Sequence, residues 1–411
     1  MKRNIIIKKQ ASLVMLLLAA LFSGTIFQAC EKSDTESAMP VVNYIRLTNP
    51  DKSDSLVVSA YMGQLIVLMG ENMQDVNQIW FNDQPASINT NLVTSTNIIV
   101  TVPNVIPGVV TNQIRLITAD HRDTLKVPFN VKVPAPQLDA MVCEYVPTGG
   151  TAIIKGNFFI NDPSSPLQVF FPGNIEGTVT SVAIDEIKVT VPSGVGVGPL
   201  QVKSIYGSTR STFYFRDDRN IMLDFDTKTA AGGWRSGIIK SSNPDPISGN
   251  YVKFSGTMAG KAGATWNEDA FSFNFWPSAN GRPNVPVYTG NIADGVIKFE
   301  CYVVDPWQAS ALQMIFTPYS VSGTNSYIGD SKVPRGLWKP WTKTDSYKTS
   351  GWITVTVPLT EFQYAGDGSK CSTAFSADMI SGLTFFVWNG GVDGVDCTPT
   401  LCIDNIRVVN K

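Results

Sequence analysis

Short apolar runs alternating with a period of two, each stopped by Gly, Pro or Asn, recur along this 411-residue chain, and no long helical period follows its N-terminal segment. Side chains spaced in this way bury one face of a strand rather than one stripe of a helix, so the expected fold class is all-β, built of antiparallel sandwiches. Two segments repeat one order of signals. In the first, Gly70, Glu71 and Asn72 follow the apolar run Leu65 to Met69; IWFND (79–83), the alternating strand IIVTVP (98–103) and Gly108 come next. In the second, Gly156, Asn157 and Phe158 follow Ile153 and Ile154, then VFFPG (169–173), IKVTVP (187–192) and a Gly-rich turn. The glycines are 86 residues apart and the strand-ending Pro103 and Pro192 are 89 apart, so two tandem domains of one kind are the economical reading.

This order, a G-x-N turn and then a strand closing on V-x-V-P, resembles the immunoglobulin-like IPT/TIG fold over residues 41–134 and again over 135–216. Pro134 and Pro136 between them restrict the backbone and predict a semi-rigid, extended joint. From Ile221 the strands lengthen, as in IMLDFD (221–226), VIKFECYVV (296–304), LQMIF (312–316), WITVTVPL (352–359), LTFFVW (383–388) and CIDNIRVV (402–409). That pattern predicts a two-sheet jelly roll over 217–411, with its first and last strands paired.

Lys2, Arg3, Lys8 and Lys9 precede an apolar stretch from Ala11 to Phe27, and Cys30 follows the small residue Ala29. The stretch is short and broken by Ser23, Gly24 and Thr25, so residues 1–29 read as a secretory signal rather than a membrane span. The cysteine resembles that of a bacterial lipobox, although Phe27 and Gln28 depart from the leucine-rich pattern; the resemblance implies lipidation at Cys30. Residues 30–40 then form a tether, whose charged run Glu31 to Glu36 resembles an export signal to the outer cell surface. Removing residues 1–29 takes away four basic groups and no acidic ones, moving the formal charge from −2 to −6, which argues against nucleic acid as a partner. His121 is the only histidine, which rules out a histidine-rich zinc site, and its setting between Asp120 and Asp123, read as an exposed hairpin tip, argues against a Ser-His-Asp triad. Cys301, Cys371, Cys397 and Cys402 admit one or two disulfides, with buried thiols as the alternative.

Eight of the nine tryptophans lie after residue 217, several beside Pro, Gly, Asn or Lys, where turns are expected. A rigid amphipathic ring on a loop suits the apolar C–H face of a pyranose, and amides or charges suit its hydroxyl rim. Three segments supply both. FNFWPSANGRPN (273–284) carries Trp276 with Asn274 and Arg282, and DPWQAS (305–310) carries Trp307 beside Asp305. GLWKPWTKTDSYKTS (336–350) carries Trp338 and Trp341, one of which could instead staple the loop. Trp388 shares a face with Phe386 and stands evenly between surface and core, and Glu300, on an alternating strand, is read as a hydrogen-bonding residue of the site. Trp352 is expected in a structural role at a strand entrance, while Trp234 and Trp266 have no expected place.

The domain order, Cys30, and the segments LDFD, GWITVTVPLTEF (351–362), LTFFVWNGG (383–391) and IDNIRV together resemble the surface glycan-binding lipoproteins of Gram-negative polysaccharide-utilisation systems. The resemblance implies non-catalytic capture of a polysaccharide or oligosaccharide, a β-glucan such as xyloglucan or mixed-linkage glucan, for uptake and degradation. It further implies attachment to the outer membrane through a lipid anchor facing the exterior, IPT-like spacers, and an outer-membrane glycan importer complex as partner. No catalytic residue and no cofactor are expected. One rival is a secreted jelly-roll glycoside hydrolase, which needs two paired carboxylates; Glu268, Asp269, Glu300, Asp305, Glu361 and Asp367 are candidates, and no pair stands out. A structural surface adhesin is the other. Asp224, Asp226, Asp404 and Asn405 would meet if the first and last strands pair, and are read as strand caps with a structural calcium as the alternative.

Overall fold

The computed structural model describes residues 38–52, 54–119, 124–163, 165–228, 238–261, 272–278, 281–321, 330, 332–388 and 390–411. Cys30, His121, Trp234, Trp266, Glu268 and Asp269 lie outside them. The architecture is all-β: among the described residues the only helices are short 3₁₀ turns. The chain divides into two compact units, 1–134 and 135–411.

In the first unit, strands Val41–Leu47, Leu65–Glu71 and Asn97–Thr101 form one antiparallel sheet, and Gln84–Pro85, Val76–Phe81, Gln113–Thr118 and Thr124–Pro128 form another. The strand IIVTVP alternates as expected, with Ile98, Val100 and Val102 inside and Thr101 exposed. The repeated glycine has a specific cause. A Cβ on Gly70 would lie 1.7 Å from the Val41 carbonyl oxygen, and one on Gly156 would lie 1.9 Å from that of Gln137. At both places the opposing strand is bulged, between Val42 and Tyr44 and between Leu138 and Ala140, which drives its backbone against the glycine. Two residues further on, Asn72 and Phe158 both take a left-handed φ, 57° and 58°. The repeat seen in sequence is thus a repeated piece of backbone geometry.

The second unit begins with a sandwich whose seven strands run in the order Gln137–Met141, Thr151–Asn157, Glu186–Thr190, Ile175–Ala183, Gln168–Phe171, Gly198–Ser204 and Gly207–Phe215, around Ile154, Val169, Phe171, Val189 and Phe215. The C-terminal domain follows as two facing sheets. One holds Ile239–Lys240, Tyr251–Ser255, Thr400–Asn410, Gly295–Val303 and Ile353–Pro358, with Ile221–Leu223 also paired to Thr400–Asn410. The first and last strands therefore meet, Ile221 opposite Arg407. The other sheet runs Ser272–Phe275, Gly382–Trp388, Ala311–Thr317, Gly336–Trp338. Phe254, Phe299, Phe316, Phe385 and Leu401 pack between the sheets. All five described cysteines are free thiols, so the disulfide expectation gives way to the thiol alternative.

Glu144 of the second sandwich enters the C-terminal domain. Its carboxylate takes ion pairs from Lys298 and Arg407, both at 2.6 Å. The guanidinium of Arg407 also grips Glu300, at 2.9 and 3.1 Å, and the Thr354 hydroxyl donates to Glu300 at 2.8 Å. Two carboxylates and two cations balance, and Arg407 and Glu300 have no exposed surface. Burial of that kind is tolerated only when charges are paired and hydrogen-bonded; here each charge is paired, and of the Arg407 guanidinium only Nε lacks a hydrogen-bond partner.

Candidate functional site

The expected platforms part company in space. Trp307 has no exposed surface: it lies between the sheets, donates its indole N–H to the Ala309 carbonyl and meets the Trp338 ring edge-on at 5.4 Å. Trp341, in the turn Pro340–Lys343, is 5% exposed and donates to the Ser310 carbonyl at 2.7 Å. Trp338 is half-buried, and register sets it opposite Leu312 on the core side, with its ring against Phe299 and Tyr347. The platform expectation fails for Trp307 and Trp341, and Trp338 turns its ring to the core. Their loops fold back through a bridge between Trp307 and Tyr347, and each buried indole N–H finds a carbonyl, so nothing opposes burial of so large an apolar ring.

Other expected site residues also have structural partners. Glu300 is not a rim residue but the fully buried partner of Arg407; burial raises its pKa and Arg407 works against that rise. Arg282 donates to the Met222 carbonyl at 3.0 Å and covers the Phe275 ring at 4.4 Å, stapling its own loop. Asp305 is half-buried beyond the end of Gly295–Val303, and Asn274 lies in a strand opposite Thr384.

Sequence positions do converge on the outer face of the four-stranded sheet. Pairing of Ala311 with Trp388, Gln313 with Phe386 and Ile315 with Thr384 puts these residues on the side away from Leu312, Met314, Phe385 and Val387, which face the core. The Phe386 and Trp388 rings lie nearly parallel, 18° apart with centroids at 6.1 Å, over Ile315 and Val333. Arg335, 1% exposed, pairs in a β-bridge with the half-buried Tyr364 and donates to the Gln313 side-chain oxygen at 2.9 Å; Gln313 in turn donates to the Gly366 carbonyl at 2.8 Å. Near the rim, the hydroxyl and backbone N–H of Ser369 hold the Asp367 carboxyl below the usual carboxylate range. Trp276, half-buried, directly follows Ser272–Phe275, whose end lies beside Leu383. From there to Trp388 the strand spans about five residues, roughly 16 Å. Three half-buried rings, Trp276, Tyr364 and Trp388, thus border a sheet face braced by a buried Arg–Gln pair. Sequence reading missed Gln313, Arg335 and Tyr364, although a lone glutamine inside the apolar run LQMIF was an available signal for the first.

Of the acid candidates among the described residues, Glu300 is locked to Arg407, Asp305 is half-buried, and Glu361 and Asp367 are exposed. The Asp224 carboxylate accepts the backbone N–H groups of Asp226, Thr227 and Lys228, and Asp226 accepts both the backbone and side-chain N–H of Asn250. Asp404 accepts from Ser248 and the Asn405 backbone, and burial pushes its pKa up to about 8. These groups cap turns and strands, and among the described residues no cluster of His, Cys, Asp and Glu suits a metal.

Residues 215–410 match the family model for the surface glycan-binding protein B xyloglucan binding domain, and residues 54–127 match the IPT/TIG domain. The crystal structure of the surface glycan-binding protein PbSGBP-B from Prevotella bryantii is similar, with 29% identity and a TM-score of 0.71 over 91% of this chain and 99% of that one. An IPT/TIG domain-containing protein of Bacteroides ovatus is 35% identical over 135 residues, 31% of this chain; the match spans only 27% of that relative's length. The chain is thus SGBP-B-like, with residues 215–410 matching the xyloglucan-binding-domain model and residues 54–127 the IPT/TIG model.

Proposed function

We propose that this protein captures a β-glucan of the xyloglucan class at the cell surface, without cleaving it, on the outer face of the four-stranded sheet. The half-buried Trp388 ring carries this reading, because register sets it on that face with the buried Phe386 ring packed nearly parallel against it and a buried Arg335–Gln313 pair bracing the sheet. Trp276 and Tyr364 extend the surface, while Trp307, Trp338 and Trp341 hold the sandwich beneath it. The anchor at Cys30 and delivery of bound glycan to an outer-membrane importer belong to the same reading, on the strength of the signal-like residues 1–29 and the charged tether.

Affinity electrophoresis on xyloglucan and mixed-linkage glucan gels tests it. If base–aromatic stacking guides the magnitude, Trp388→Ala loses ~1–3 kcal/mol, about fivefold to 150-fold in affinity. Retardation of the wild type in neither gel, or unchanged retardation of a variant lacking both Trp276 and Trp388, refutes the assignment. Release of reducing sugar would favour a hydrolase instead.

A further inference from the structure

We propose that the cleft between the second sandwich and the C-terminal domain is a second saccharide site, sized for one or two pyranose rings seated against Trp352. It rests on the glycan-binding reading above, but it uses different residues and the opposite sheet. The cleft measures about 350 Å³, at the small end of the ~300–1,000 Å³ range of ligand clefts, and lies between two domains of one compact unit. Trp352 forms one wall. Its N–H is satisfied by the Asp245 carbonyl at 2.9 Å, and Tyr251 and Tyr302 hold the ring at centroid distances of 5.4 and 6.0 Å. An indole fixed in this way loses little freedom when a ligand stacks on it.

The floor is apolar, from Val146 of the second sandwich and Ile247 of the C-terminal domain, and the Asp245 and Ser350 side chains stand exposed at the rim. A ligand must therefore present a flat apolar face together with hydroxyl donors for a carboxylate, and the Asp245 charge disfavours an anion. A neutral pyranose meets all three conditions. Neither domain makes the cleft alone, so the second sandwich contributes to binding as well as spacing.

Isothermal titration calorimetry of the full exported chain with a xyloglucan oligosaccharide decides the matter. Two equivalents bind to the wild type. Ser350→Trp, which fills the cleft without removing an indole, reduces this to one and leaves the remaining dissociation constant unchanged; Trp352→Ala does the same if its packing loss is tolerated. Trp388→Ala keeps the cleft equivalent. A Ser350→Trp variant with wild-type stoichiometry and affinities overturns the cleft assignment while leaving the outer-face reading intact. Absence of any binding to the wild type overturns both.

Discussion

Arg407→Met tests whether the buried charges join the second sandwich to the C-terminal domain. The guanidinium makes contacts of 2.9 and 3.1 Å to Glu300, 2.6 Å to Glu144 and 2.8 Å to the Asn405 carbonyl, with no exposed surface. Methionine fills much of the volume but leaves Glu300 with the Thr354 hydroxyl alone, while Glu144 keeps Lys298. Stranding one buried carboxylate costs ~3–5 kcal/mol. For a unit of this size each kcal/mol moves the midpoint by ~2–4 °C, so the 135–411 transition should fall by roughly 6–20 °C. Differential scanning calorimetry measures it, with Glu300→Gln added as the second arm of a double-mutant cycle. Burial raises the pKa of Glu300 and Arg407 opposes it; without Arg407 the carboxyl takes up a proton more readily, so the loss should shrink in mild acid. The double variant should be more stable than Arg407→Met alone. A single variant melting within ~2 °C of wild type, or strictly additive effects, would refute the account.

Three further outcomes are expected. Asp404 has its pKa raised from 3.8 to about 8, so its folded form holds a proton that the unfolded chain releases; its contribution is complete below the unfolded value and lost as pH rises through about 8, and Asp404→Asn should flatten thermal stability across that window. Trp307→Ala should cost ~3–5 kcal/mol in a denaturant melt by opening a core cavity, whereas Trp388→Ala should change stability by less than half as much while weakening glycan binding. Gly156→Ala forces a Cβ to 1.9 Å from the Gln137 oxygen and should lower the melting temperature of the second unit; an unchanged melt would show that the bulged strand yields without cost.

Loops were the hard part of the sequence. Turn chemistry around Trp307 and Trp341 correctly marks chain reversal, but Pro and Lys neighbours do not say which side of the reversed chain is covered. The long-range pairing of Trp307 with Tyr347, and of the Trp341 N–H with Ser310, decides that. Alternation was more informative at Trp388, because a two-residue period fixes Phe386 as its face-mate whatever the sheet's partners. Arg335 had no local signal: its role depends on Gln313, twenty-two residues away and on the neighbouring strand.

From sequence alone came the all-β class, the tandem repeat with its paired glycines, and the pairing of first with last strand, since period, turn residues and order are local properties of the chain. Tertiary structure alone decided which indoles reach solvent, that Glu300 belongs to a buried ion network, and that the second sandwich shares a cleft with the C-terminal domain. Exposure and charge pairing depend on what arrives from distant segments, and a residue such as Glu144 carries no mark of the Arg407 that it meets 263 positions later.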